Sequence, residues 1–124
     1  MPAFRRAAAA AFALCLASSA AAQPAQVVVQ VWSYGFAPTP IHLAAGRPVT
    51  LTFVNRSGSG HDFTAEAFFQ NARITAGAAP DGEIELAPHE TKSVTLVPAR
   101  GTYHAHCSHF FHKQMGMHDE IIVE

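Results

Sequence analysis

Only two cysteines, Cys15 and Cys107, occur in the 124 residues. A zinc ribbon needs cysteines in pairs, and that pattern is missing. Basic residues do not outnumber acidic ones, 8 against 9, so nucleic acid is a poor partner. No apolar run reaches the roughly 18 to 20 residues that a membrane-spanning helix needs. Internal repeats are absent, and so is low-complexity sequence beyond the first two dozen residues. The length allows one domain with one modest core.

What the chain does have begins at its start. Arg5 and Arg6 give a short positive region, residues 7–17 are apolar, and Ala20, Ala21 and Ala22 form a small-residue cleavage site before Gln23. This is the layout of an export signal. We expect residues 1–22 to be a signal peptide and residues 23–124 the functional domain, in the periplasm. A lipoprotein anchor at Cys15 is disfavoured by the bulky Leu14 before it, and two arginines alone are a weak twin-arginine signal. Removing Arg5 and Arg6 leaves six basic against nine acidic residues, a mature charge of about −3. Cys15 leaves with the signal, so Cys107 is a lone thiol in an oxidising compartment. It can be buried and inert, paired between molecules, or a metal ligand.

The hydrophobic pattern has a period of two. Residues 26–32, 49–55, 83–86, 93–97, 101–107 and 117–123 alternate or read as strands, with Gly, Pro, Asn and Asp turns between them. Short strands with frequent turns predict an antiparallel β-sandwich. The stretch 66–79 does not alternate; residues 67–72 read as a short helix or packed loop whose Phe68 and Phe69 belong to the core.

All eight histidines follow the leader, and five of them, His104, His106, His109, His112 and His118, lie in the last 21 residues. They surround Cys107, Met115 and Met117. A thiolate, a thioether and imidazoles together suit copper. Cys107 ends a strand, His112 follows after four residues and Met117 after four more. A hairpin can bring the three to one end of a sandwich, and His61, after the Ser57-Gly58-Ser59-Gly60 turn, is placed to join them. Two His and one Cys with a weak axial Met define an electron-transfer copper site. Met115 competes with Met117 for the axial place. His109 would need a Cys-x-His bite too tight for one metal. His104 and His106 share one strand face, and with His109 and His118 nearby a second, weaker metal patch is conceivable. His42 and His89 read as exposed.

These residues carry a family resemblance. Phe36-Ala37-Pro38, Ile41, Ala45-Gly46-Arg47-Pro48-Val49 and Phe53-Val54-Asn55 resemble the first half of a plastocyanin/azurin-like cupredoxin, and His61 with Cys-x4-His-x4-Met resembles its ligand set. The resemblance implies an all-β Greek-key sandwich with one copper ion, Cu(I)/Cu(II), held by His61, Cys107, His112 and Met117. It departs from the family at three places. Phe110-Phe111 precede His112 where Pro is common, Asp62 follows the first His where Asn is usual, and Asp119 stands where Gly is common.

Two functions follow. The first is one-electron transfer to a transient redox protein partner, docked on an apolar patch of Phe110 and Phe111. The second is periplasmic copper handling, as a chaperone, scavenger or resistance protein trading copper with a donor or acceptor protein; the surplus histidines motivate it. An enzyme is not expected, because one closed mononuclear site leaves no place for substrate.

Overall fold

Alternating apolar side chains build two facing sheets. The computed structural model describes residues 2–4, 7–16, 23–109 and 115–124. Among these the elements are β1 (Ala25–Trp32), β2 (Gly35–Ala37), β3 (Ile41–Leu43), β4 (Val49–Asn55), β5 (His61–Thr64), α1 (Glu66–Asn71), β6 (Arg73–Ala76), β7 (Glu83–Leu86), β8 (Thr91–Val97), β9 (Gly101–His106) and β10 (His118–Val123). One sheet has the order β2-β1-β4-β8-β6 and the other β3-β10-β9-β5-β7. The sandwich is therefore as expected, with one difference from a purely antiparallel one. β1 pairs with β4, and β3 with β10, in parallel. Parallel neighbours need a crossover rather than a hairpin. The chain supplies it by changing sheets, from β1 and β2 to β3 and then back to β4.

The first sheet turns Val29, Val31, Leu51, Phe53, Val94 and Leu96 inward, and the second answers with Ile41, Phe63, Ile84, Leu86, Ile121 and Val123; all are buried. Each such side chain contributes roughly 1.5–3 kcal/mol when removed from water. Phe63 is the hub, with ring centroids 4.8 Å from Phe53, 5.3 Å from Phe36 and 6.5 Å from Phe69. The only α-helix among the described residues, α1, has six residues and no side-chain cap. Propensity alone does not hold so short a helix. Burial of Phe68 and Phe69 does, with Phe68 against Tyr103 at 5.5 Å. The Tyr103 hydroxyl in turn donates to the Ala99 carbonyl at 2.9 Å, closing the turn into β9.

The return from α1 to β7 needs glycine at one point. Gly82 has φ +74°, donates to Ala79 O, and accepts from Ala65 N at 2.9 Å. A Cβ there would lie 2.6 Å from the Glu66 Cα. Left-handed backbone at a non-glycine residue costs about 1–3 kcal/mol even without a clash. Gly82→Ala should lower unfolding stability by about 2 kcal/mol in urea denaturation. A wild-type midpoint would show that α1 shifts aside freely.

Candidate metal centre

β5 and the β9–β10 hairpin meet at one end of the sandwich. β5 is buried at all four positions. Within it, side-chain alternation sends His61 and Phe63 to the interior and Asp62 and Thr64 to the outer side. β9 and β10 pair antiparallel with His106 opposite His118. One step further Cys107 faces Met117, and the Cys107 amide donates to the Met117 carbonyl at 3.0 Å. Directly opposite residues share a face, so the thiol and the thioether enter the interior together.

His61, Cys107 and Met117 are each fully buried. Cys107 Sγ lies 3.9 Å from His61 Nδ1. One ion with bonds of about 2.0–2.3 Å reaches both atoms at that separation. His61 Nε2 lies 2.9 Å from Ser33 Oγ. Donation by Nε2 to Ser33 leaves the Nδ1 lone pair turned toward sulfur, which is how a hydrogen bond at one ring nitrogen assigns the other to a metal. Tyr34 packs edge-on against the same ring, with centroids 6.4 Å apart. The Asp62 amide points at Cys107 Sγ across 3.5 Å. Without a metal, burial pushes the Cys107 thiol above its ordinary value, and the Asp62 amide pulls it partly back.

Around these three lies a polar shell. Asp62 Oδ1 accepts from the Ser108 amide at 2.9 Å and from Thr64 Oγ1 at 2.7 Å, while Ser108 Oγ donates to Oδ2 in a very short contact. Asp62 thus ties Ser108, the neighbour of Cys107, to β5. Asn55, also buried, holds the loop before His61. Its Nδ2 donates to Ser59 O at 2.7 Å and to Ala87 O at 3.0 Å, and its Oδ1 accepts from Ser57 N at 3.0 Å. The His109 ring turns to two carboxylates. Its Nε2 meets Glu85 Oε1 at 2.8 Å and Asp62 Oδ2 at 3.6 Å.

Of the four expected ligands, the structure brings His61, Cys107 and Met117 to one buried end. His112 lies outside the described residues, as do Phe110 and Phe111. Between the two methionines burial discriminates: Met117 is fully buried and Met115 is 58 % exposed. His42 and His89 are exposed, as expected. Ser33, Tyr34, Thr64 and Glu85 were not foreseen. No motif marks Ser33 or Tyr34, whereas Thr64, two residues from Asp62 on a strand, carried a usable signal. Asp119 is the odd group in this region. It is 4 % exposed, and Oδ1 accepts from Thr39 Oγ1 and from the Glu120 amide, both at 2.7 Å, while Oδ2 has no hydrogen-bond partner among the described residues. Burial raises its carboxyl above the usual range, and the Thr39 bond opposes this.

The profile of the cupredoxin-like domain family matches residues 5–123, and the chain belongs to that family. Solved structures agree on the fold. Auracyanin B is 26 % identical, with a TM-score of 0.59 over 85 % of this chain and 93 % of that one. The dithionite-reduced auracyanin of the photosynthetic bacterium Roseiflexus castenholzii is 17 % identical, with a TM-score of 0.62 over 83 % and 99 %. Auracyanin A, described as a blue copper protein of the green thermophilic photosynthetic bacterium Chloroflexus aurantiacus, is 20 % identical, with a TM-score of 0.60 over 82 % and 100 %. No curated protein matches the sequence.

Proposed function

We propose that the mature chain is an exported, mononuclear copper protein that carries single electrons, with copper held by His61, Cys107, His112 and Met117. The observation that supports it most is the buried Cys107 Sγ facing His61 Nδ1 at 3.9 Å, with Met117 buried across the hairpin. A soft thiolate, a thioether and an imidazole fit copper better than zinc or a hard cation. Bound there, copper would supply a one-electron Cu(I)/Cu(II) couple. The chain's own part is positional. Ser33 fixes the His61 ring, the Asp62 amide points its dipole at sulfur, and the core excludes water from the thiol. A site held rigid in this way changes oxidation state with little rearrangement.

The start of the chain supports export and removal of residues 1–22. Phe12, Leu14 and Leu16 are 83–93 % exposed and belong to no helix or strand. No helix among the described residues is long and apolar enough to cross a membrane. The periplasm is the compartment this reading gives. The partner is a redox protein in brief contact with the copper end. Tyr34, 43 % exposed beside His61, offers apolar surface there, and the sequence adds Phe110 and Phe111 next to His112. No catalytic role is proposed.

Visible and paramagnetic-resonance spectra with metal analysis test the reading. One copper per chain with an intense thiolate-to-copper band is expected. A colourless copper form would overturn it. Copper handling is the second reading, favoured by the exposure of His104 and His118 on β9 and β10. Electron self-exchange decides between them: fast exchange, retained when His104, His106, His109 and His118 are all changed to Gln, marks a carrier. Sluggish exchange with copper lost in that variant marks a handling protein.

A further inference from the structure

Four coordinating side chains that the proposed centre does not use share one surface. On β9, His104 is exposed and His106 half-buried; on β10, His118 and Glu120 are exposed. All four point away from the core, as strand alternation requires with Tyr103, Ala105, Asp119 and Ile121 buried between them. The register puts His118 opposite His106, and Glu120 opposite His104.

The type of pairing matters. The Cys107 amide bonds to the Met117 carbonyl directly opposite it, so that pair is of the hydrogen-bonded kind. Pairs alternate along an antiparallel ladder. His106–His118 and His104–Glu120 are therefore non-hydrogen-bonded pairs, the kind whose Cα atoms approach to about 4.5 Å and whose side chains lie closest. Two imidazoles at that spacing can reach one ion by rotating about χ1 and χ2. His104, His118 and Glu120 also line one groove with Thr39, Gly116 and Asp119.

We propose that the outer face of β9–β10 binds one divalent transition-metal ion, of the imidazole-preferring class of zinc(II) and copper(II), separate from the buried centre. His118 is the shared ligand, His106 and His104 are its cross-strand imidazole partners, and Glu120 supplies a carboxylate. Neutral imidazoles with one carboxylate suit these ions. The face sits directly behind Cys107 and Met117, since His106 and His118 are their immediate chain neighbours. An ion there adds positive charge on the outside of the same hairpin. A second cluster on the same sheet, Asp62, Glu85 and His109, has its ligand atoms within 4.8 Å of one another. That cluster already converges, whereas the β9–β10 side chains must rotate to do so; its Asp62, however, already accepts from Ser108 and Thr64, and it is the competitor the test must exclude.

The test is a calorimetric titration of the copper-loaded protein with zinc(II), with the visible band followed in parallel. One further equivalent of zinc should bind while the band stays. His118→Gln should weaken it more than tenfold, His106→Gln and His104→Gln each about tenfold, and Glu120→Gln a few-fold. Absence of zinc uptake would overturn the proposal. So would uptake indifferent to His118→Gln; loss in Glu85→Gln instead would place the ion on the Asp62 cluster. If copper leaves the protein colourless, the buried-centre reading fails separately, and the same contrast between wild type and His118→Gln is read on the metal-free chain.

Discussion

Cys107→Ser should abolish the intense visible band of the copper-loaded protein. That band arises from the copper–thiolate bond, and a serine oxygen is harder and does not supply the transition. The substitution is nearly isosteric, so the fold should survive. Cys107 is fully buried within the core cluster, with the Asp62 amide 3.5 Å from its sulfur. A serine hydroxyl accepts from that amide as readily as sulfur does. Circular dichroism should thus stay native while colour disappears and copper affinity falls by orders of magnitude. Retention of the band in Cys107→Ser would place the thiolate ligand elsewhere, and the other thiol of the sequence is Cys15. His61→Gly separates loss of a ligand from loss of folding in a second way. Added imidazole should restore colour by filling the vacated ring position.

The sequence made the outer frame legible because that frame rests on local patterning. β4 and β7 fall on the residues where alternation is cleanest. Strands β1, β8, β9 and β10 begin or end within two residues of where the pattern places them. Three of the four strands that were missed, β2, β3 and β5, have a physical excuse; the fourth is β6. β2 and β3 have three residues each, and the prolines between them read as a turn. β5 is buried on both faces, so it shows no alternation. Its outer face is buried by Ser108 and Thr64 closing over Asp62, a tertiary effect that no window of sequence carries. The parallel pairings of β1 with β4 and of β3 with β10 are likewise long-range. At the site, residue chemistry singled out Cys107 and Met117, since soft and imidazole donors crowd one hairpin, and His61 by its place after a flexible turn; the structure buries all three at one end. What separates Met117 from Met115 is burial, which follows from the pairing of residue 117 with residue 107.

Asp62 tests both the architecture and the electrostatics of the centre, because two substitutions there separate the two. Asp62→Ala removes the acceptor of three donors at once: the Ser108 amide, the Ser108 hydroxyl and the Thr64 hydroxyl. Each buried donor left unsatisfied costs about 1–3 kcal/mol. The variant should lose roughly 3–5 kcal/mol of unfolding stability and release copper more readily, since Ser108 adjoins Cys107 and is no longer tied to β5. Asp62→Asn behaves differently. Its Oδ1 still accepts from the Ser108 amide and Thr64, and its amide group donates to a rotated Ser108 hydroxyl. Geometry is kept and a negative charge is removed. A carboxylate beside the metal favours Cu(II), the more positive state. A unit charge several ångströms away, at an effective dielectric of about 20, is worth on the order of 2 kcal/mol, or about 100 mV for one electron. Asp62→Asn should therefore raise the reduction potential by up to that amount, with stability within about 1 kcal/mol of wild type. Asp62 is fully buried, so solvent screening takes away only part of the effect. Voltammetry of the two proteins at equal ionic strength reads it directly. A potential that stays put or falls would show that the Asp62 side chain places no charge beside the copper, and its role would reduce to tying Ser108 to Thr64.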